Sequence, residues 1–152
     1  MSAFESYPLV TPFLWFNGTA EEAADFYCSI FPNSRRMEET RAGEKKEVLV
    51  VAFELDGQKF TALNGGPLFS FTEAISFVVR CDTQQDIDHY WDKLTADGGK
   101  ESQCGWLKDK FGLSWQVVPT RIAQYARSPA AMQAMMGMKK LDIAELDRAM
   151  KS

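Results

Sequence analysis

The chain has 152 residues, 45% apolar and 25% charged, with a formal net charge of −4. Such figures describe a folded globular chain, one domain or two small fused halves, and exclude a disordered one. Lysines and arginines are scattered, adjacent only at Arg35-Arg36, Lys45-Lys46 and Lys139-Lys140, so the basic footprint that nucleic-acid binding needs is missing.

The opening "MSAFESYPLV" has no basic start followed by an apolar run, so no secretory leader is expected. No stretch approaches the about 18 apolar residues of a membrane span. Three cysteines, Cys28, Cys81 and Cys104, are far apart and odd in number. That pattern fits free thiols in a reducing compartment, and the chain is read as cytoplasmic.

In chain order, "PLVTPFLWF" (8–16) is an extended run and Asn17-Gly18 a turn. A helix follows over 19–31. Thr19 with Glu22 has the spacing of a capping box, and Ala20, Ala23, Ala24, Tyr27, Ile30 and Phe31 recur at helical spacing. Strands are predicted over 34–40, 46–55 and 58–64, the last two joined by the hairpin signal Asp56-Gly57. The order then restarts. A strand is predicted over 74–81, and a helix over 83–99 is opened by Thr83 and Asp86, with Ile87, Tyr90, Trp91 and Leu94 as its stripe. Short strands fit within 100–110 and 112–119. The fold class is therefore α+β: two βαβββ modules, 8–66 and 74–119, in a single domain 1–152, with a helical tail over 120–152. In the tail, Ser128-Pro129 opens one helix. Asp142 caps the last, with Glu145 at the box position and Leu141 and Leu146 placed as a staple.

The stretches "TPFLWFNGTAEEAADFY", "LNGGPLFSFTEAISFVV" and "HYWDKLTADGGKESQCGWLKDKFGLSWQVVP" resemble the PhnB-like family, also labelled 3-demethylubiquinone-9 3-methyltransferase-like. That family is a branch of the vicinal oxygen chelate superfamily, with glyoxalase I, bleomycin-resistance proteins and extradiol dioxygenases. The resemblance implies two modules whose sheets curl around a cleft, usually in a homodimer. It fixes no reaction, because the superfamily hosts unrelated chemistries and binding-only members.

In metal-using relatives a His or Gln on the first strand and a Glu on the last strand of each module hold the ion. Counting seven residues back from Thr19 and Thr83, and matching Gly57–Thr61 to Gly112–Gln116, puts those places at Pro12, Thr61, Ser76 and Gln116. A proline, two hydroxyls and an amide are not the imidazole, carboxylate or thiolate that catalytic divalent ions take, so neither metal nor other cofactor is expected. The lone His89 falls opposite the apolar stripe of its helix and reads as exposed. Cys28 and Cys81 read as buried packing residues, and Cys104, beside Gly105-Trp106, as the one candidate reactive thiol. Alternation puts Thr61 and Gln116 on the cleft face and Phe60 and Trp115 beneath helices. Asn64 shares the parity of Phe60 but stands at a strand end, where alternation often breaks, and is placed at the cleft mouth.

The ligand-binding residues expected are thus Thr61, Asn64, Ser76, Cys104, Trp106 and Gln116. The expected role is metal-independent binding or sequestration of a small, partly aromatic organic molecule. Alternatives are group transfer on a quinone-like ring, or an interaction module with a filled cleft. Neither nucleic acid nor membrane is an expected partner. A doubly wound methyltransferase is disfavoured, because neither Gly65-Gly66 nor Gly98-Gly99 makes a G-x-G turn between strand and helix. Met132, Met135, Met136 and Met138 crowd one tail segment as core or subunit contact.

Overall fold

The structure, a computed structural model, describes residues 3–152 and divides into two compact units, one ending at Ser70 and the other beginning at Phe71.

In the first unit, β1 (Phe13–Phe16) leads through α1 (Ala20–Ile30) to β2 (Arg35–Ala42), β3 (Glu47–Leu55) and β4 (Gln58–Asn64). The sheet order is β1-β4-β3-β2, with β1 parallel to β4 and the other pairs antiparallel. Asp56 and Gly57 both take positive φ, 47° and 86°, the backbone a two-residue hairpin turn requires. α1 buries Ala20, Ala23, Ala24, Tyr27 and Ile30. Tyr27, Phe53 and Phe60 stack beneath it, with centroids 6.1 Å and 5.3 Å apart. Arg36 ties β2 to the helix by ion pairs to Glu21 and Asp25.

The helix begins differently from the expectation. Thr19 makes no side-chain cap. Asn64, at the end of β4, accepts from Ala20 N at 2.8 Å and donates to Val48 O at 3.0 Å. A residue 44 positions away in sequence thus satisfies an orphan N–H of the first turn. The first strand is also shorter than the apolar run 8–16, starting at Phe13.

The second unit repeats the plan: β5 (Ser76–Cys81), α2 (Gln84–Thr95), β6 (Lys100–Glu101), β7 (Trp106–Lys108) and β8 (Ser114–Pro119), in the order β5-β8-β7-β6. Again the first strand is parallel to the last. Thr83 caps α2 by accepting from Asp86 N at 3.1 Å, as its spacing predicts. The helix stops at Thr95 rather than running to Gly99, because a 3-10 turn takes over at Ala96–Gly98 with Asp97 at φ 58°. Ile87, Trp91 and Leu94 are its buried stripe.

Three tail helices follow: α3 (Ile122–Arg127), α4 (Pro129–Met136) and α5 (Ile143–Met150). Ser128 caps α4 and Asp142 caps α5. Val118, Tyr125, Ala131, Met135, Leu141 and Leu146 form one core cluster, with Met138 packed against it. Met132 and Met136 stay exposed. The tail is laced to its own unit: Met138 O and Lys139 O accept from Cys104 N and Gly105 N, each at 2.8 Å. Gln84 bridges Leu141 O and Ile143 N. Gly105 sits at φ +83°, and a Cβ there would lie 2.8 Å from Val117 O; only glycine allows that approach.

Candidate functional site

Strand register decides which side chains share a face. In the second unit Phe77, Val79 and Cys81 alternate inward with Trp115 and Val117 beneath α2. Ser76 and Val78 turn to the opposite, helix-free face with Ser114 and Gln116. β7 extends that face, since Trp106 pairs with Gln116 and Lys108 with Ser114. β6 adds Lys100, the register partner of Lys108. Gln116 is half-buried there, and its Nε2 donates to Ser76 Oγ at 2.9 Å. Val78 beside it is 60% exposed and Trp106 half-buried. One face thus carries an amide, two hydroxyls, two lysines and two apolar groups.

Trp115 takes the core side, as alternation predicts, 4% exposed. Its indole N–H donates to Asp109 Oδ2 at 2.9 Å. Asp109, buried after β7, also accepts at Oδ1 from Phe111 N (2.9 Å) and Leu113 N (3.1 Å). The carboxylate therefore organises the β7–β8 turn. As a sequence Asp109 is a candidate ionisable group for the cleft; the structure gives it to the turn instead, and an Asp three residues before Gly112 is a turn signal whose side chain bonds its own backbone.

The first unit's helix-free face carries Phe13 and Thr61 as register partners, followed by Trp15 and Leu63. Thr61 is only 2% exposed, whereas Phe13 is 54% exposed. Tyr7 reaches over this sheet and donates to Phe60 O at 2.8 Å. Its phenol is near enough to the Thr61 hydroxyl to feel it, although Thr61 Oγ1 meets no partner with hydrogen-bond geometry among the described residues. Burial raises the Tyr7 pKa above the ordinary phenol value. Trp15 donates to Gly66 O at 2.9 Å and packs edge-on to Phe69 at 4.8 Å. A Cβ at Gly65 would collide with the Trp15 ring.

Asn64 obeys strict alternation. It turns to the α1 side and spends its amide on the helix start, on the wall of a depression of about 500 Å³ that Gly18, Glu21, Arg41 and Glu47 also line. Cys104 lies outside the strands, in the left-handed region at φ 58°, its backbone N–H held by the tail. The structure thus brings Ser76, Gln116 and Trp106 together on one sheet face. It places Thr61 and Asn64 on opposite faces of the other sheet.

Residues 8–118 match the family model described as 3-demethylubiquinone-9 3-methyltransferase. A "Putative 3-demethylubiquinone-9 3-methyltransferase, PhnB protein" from Bacillus cereus is 35% identical, over 74% of this chain and 99% of its own, with TM-score 0.68. The chain belongs to the 3-demethylubiquinone-9 3-methyltransferase family. Protein PA1353 from Pseudomonas aeruginosa, 17% identical over 72% of this chain and 96% of its own, superposes with TM-score 0.61. The fosfomycin resistance protein FosX from Listeria monocytogenes, solved with Mn(II) and sulfate, is 15% identical over 72% of this chain and 89% of its own, with TM-score 0.56. At those identities the last two show a shared fold. No curated protein matches the chain.

For this family member the metal places can now be read from register. Phe13, not Pro12, pairs with Thr61, and Val78, not Ser76, pairs with Gln116. The count of seven back from the helix starts is one residue too long in the first unit and two too long in the second, the further residue arising because the βα connection 82–83 is one shorter than 17–19. Neither a phenyl with a hydroxyl nor an isopropyl with an amide fits a divalent ion. No group of three or more His, Cys, Asp or Glu is placed to hold a metal among the described residues. His89 is exposed on α2, its ring against Tyr90 at 5.1 Å. Cys81 is buried, as expected, and desolvation pushes its thiol to about 12. Cys28 differs from the expectation in being only half-buried, because α1 turns Ala24 and Tyr27 inward instead. Among the described residues no helix is long and apolar enough to cross a membrane.

Proposed function

We propose that this protein binds a small, partly aromatic organic molecule without a metal, on the helix-free face of its second sheet. The observation that carries the reading is Gln116. It stands on that face with one end of its amide held by Ser76, flanked by Trp106 and Val78. An aromatic wall with a few fixed polar groups is the usual make-up of an organic-ligand site. The function is capture or sequestration, in a cytoplasmic homodimer. Self-association draws support from the exposed apolar side chains Leu9, Val10, Phe13, Leu68 and Ile75.

Group transfer on a quinone-like ring, suggested by the family's description, is the second reading. It draws on Glu73, an exposed carboxylate paired with Lys108 beside the same face. Of the other candidate acids and bases in this unit, Asp109 is committed to its turn and His89 is exposed on α2.

Screening one-ring aromatic fragments by amide NMR in the presence of EDTA tests the reading. Expected are shifts at Trp106, Ser114 and Gln116, reduced in Trp106→Ala and Gln116→Ala. Binding that appears only after a divalent cation is added, or that maps elsewhere, refutes it.

A further inference from the structure

Lys100 and Lys108 are direct cross-strand partners on the proposed binding face. Like charges so placed repel one another and weaken a sheet. Lys108 has a counter-ion in Glu73. Lys100 has none among the described residues. Glu101, its neighbour, faces the helix side and accepts from the Trp91 indole at 2.7 Å. The two lysines, Glu73, Trp106 and Ser114 line a depression of about 200 Å³, whose wall Glu101 also borders with its carboxylate engaged by the Trp91 indole. That is room for a single substituted ring rather than a drug-sized molecule.

A second observation comes from Ser114 itself. It is fully buried, and its Oγ has no hydrogen-bond partner among the described residues. A buried hydroxyl left unmatched costs free energy that an arriving acceptor recovers. An ammonium without a counter-ion, a second ammonium on an exchangeable one and a spare hydroxyl converge beside an aromatic ring.

We propose that the molecule bound on this face is an aromatic acid, its carboxylate held between Lys100 and Lys108 within reach of Ser114 and its ring against Trp106. This rests on the binding reading above and adds the charge of the ligand to it. On binding, the carboxylate takes the place of Glu73 at Lys108.

The test compares benzoate with benzamide, its neutral isostere, by amide NMR titration of the full chain. Wild type is expected to bind benzoate about tenfold more tightly than benzamide, the worth of one charge-assisted contact. K100E abolishes that preference. E73Q, which frees Lys108, strengthens benzoate binding. Equal binding of the two compounds at Trp106, Ser114 and Gln116, unaltered in both variants, overturns the acid assignment and leaves the binding reading standing. Absence of shifts from either compound on this face overturns both.

Discussion

Replacing Asp109 by asparagine isolates one bond at the β7–β8 turn. The Oδ1 position can still accept from Phe111 N and Leu113 N. At the Oδ2 position, 2.9 Å from the Trp115 indole nitrogen, an NH₂ would oppose the N–H. A charge-assisted bond disappears and two buried donors face each other, which costs about 2–3 kcal/mol. Asp109→Ala strands all three donors, and about 4 kcal/mol is expected. The decisive measurement is a double-mutant cycle with Trp115→Phe, followed by urea unfolding. Without the indole N–H the asparagine has nothing to oppose, so Asp109→Asn should cost only about 1 kcal/mol in that background. The coupling is then about 1–2 kcal/mol, well outside the about 0.5 kcal/mol within which independent sites add. Equal costs in the two backgrounds would refute the assignment of this carboxylate to Trp115.

Asn64→Ala should destabilise the first unit by about 1–2 kcal/mol, the worth of an N-cap and its companion bond; Thr19→Ala should be nearly neutral, and urea melts distinguish the two. Tyr125 donates to Asp147 at 2.7 Å, and burial followed by that carboxylate raises its phenol to about 12. Because the folded pKa lies above the unfolded value of about 10, stability from this group is complete below about pH 10 and lost as pH rises toward 12. Tyr125→Phe should flatten thermal stability across that window. Native-state thiol titration should modify Cys28 and Cys104 well before Cys81, which is 1% exposed; simultaneous reaction of all three would contradict the packing of β5 against α2.

Much of this architecture lies in local signals. Asp56-Gly57 determines its own turn, and Thr83, Ser128 and Asp142 each cap the helix that follows them, because turn and cap bonds span only a few residues. Alternation alone puts Phe60 and Trp115 inward and Gln116 on the helix-free face. Hidden from a linear reading were the partners supplied from afar. Asn64 reaches back 44 residues to α1. In the candidate site, Gln116 was legible from strand parity, whereas Ser76 came from counting back from Thr83 and the face of Trp106 had to wait for its pairing with Gln116. Lys100 and Lys108 were not legible, since their proximity depends on the pairing of two very short strands.

The unequal βα connections, 17–19 against 82–83, bear on how the two halves have been free to diverge. A helix that carries its own cap fixes the length of the segment before it, since an inserted residue separates cap from first turn. α1 takes its side-chain cap from β4, so the side chains of Asn17 and Thr19 are released from that task, while Thr19 O still accepts from Ala23 N. An insertion there moves neither the inward faces of β1 and β4 nor the helix they support. The first half can accept changes of length at this corner that the second half, anchored by Thr83, would register as a lost cap.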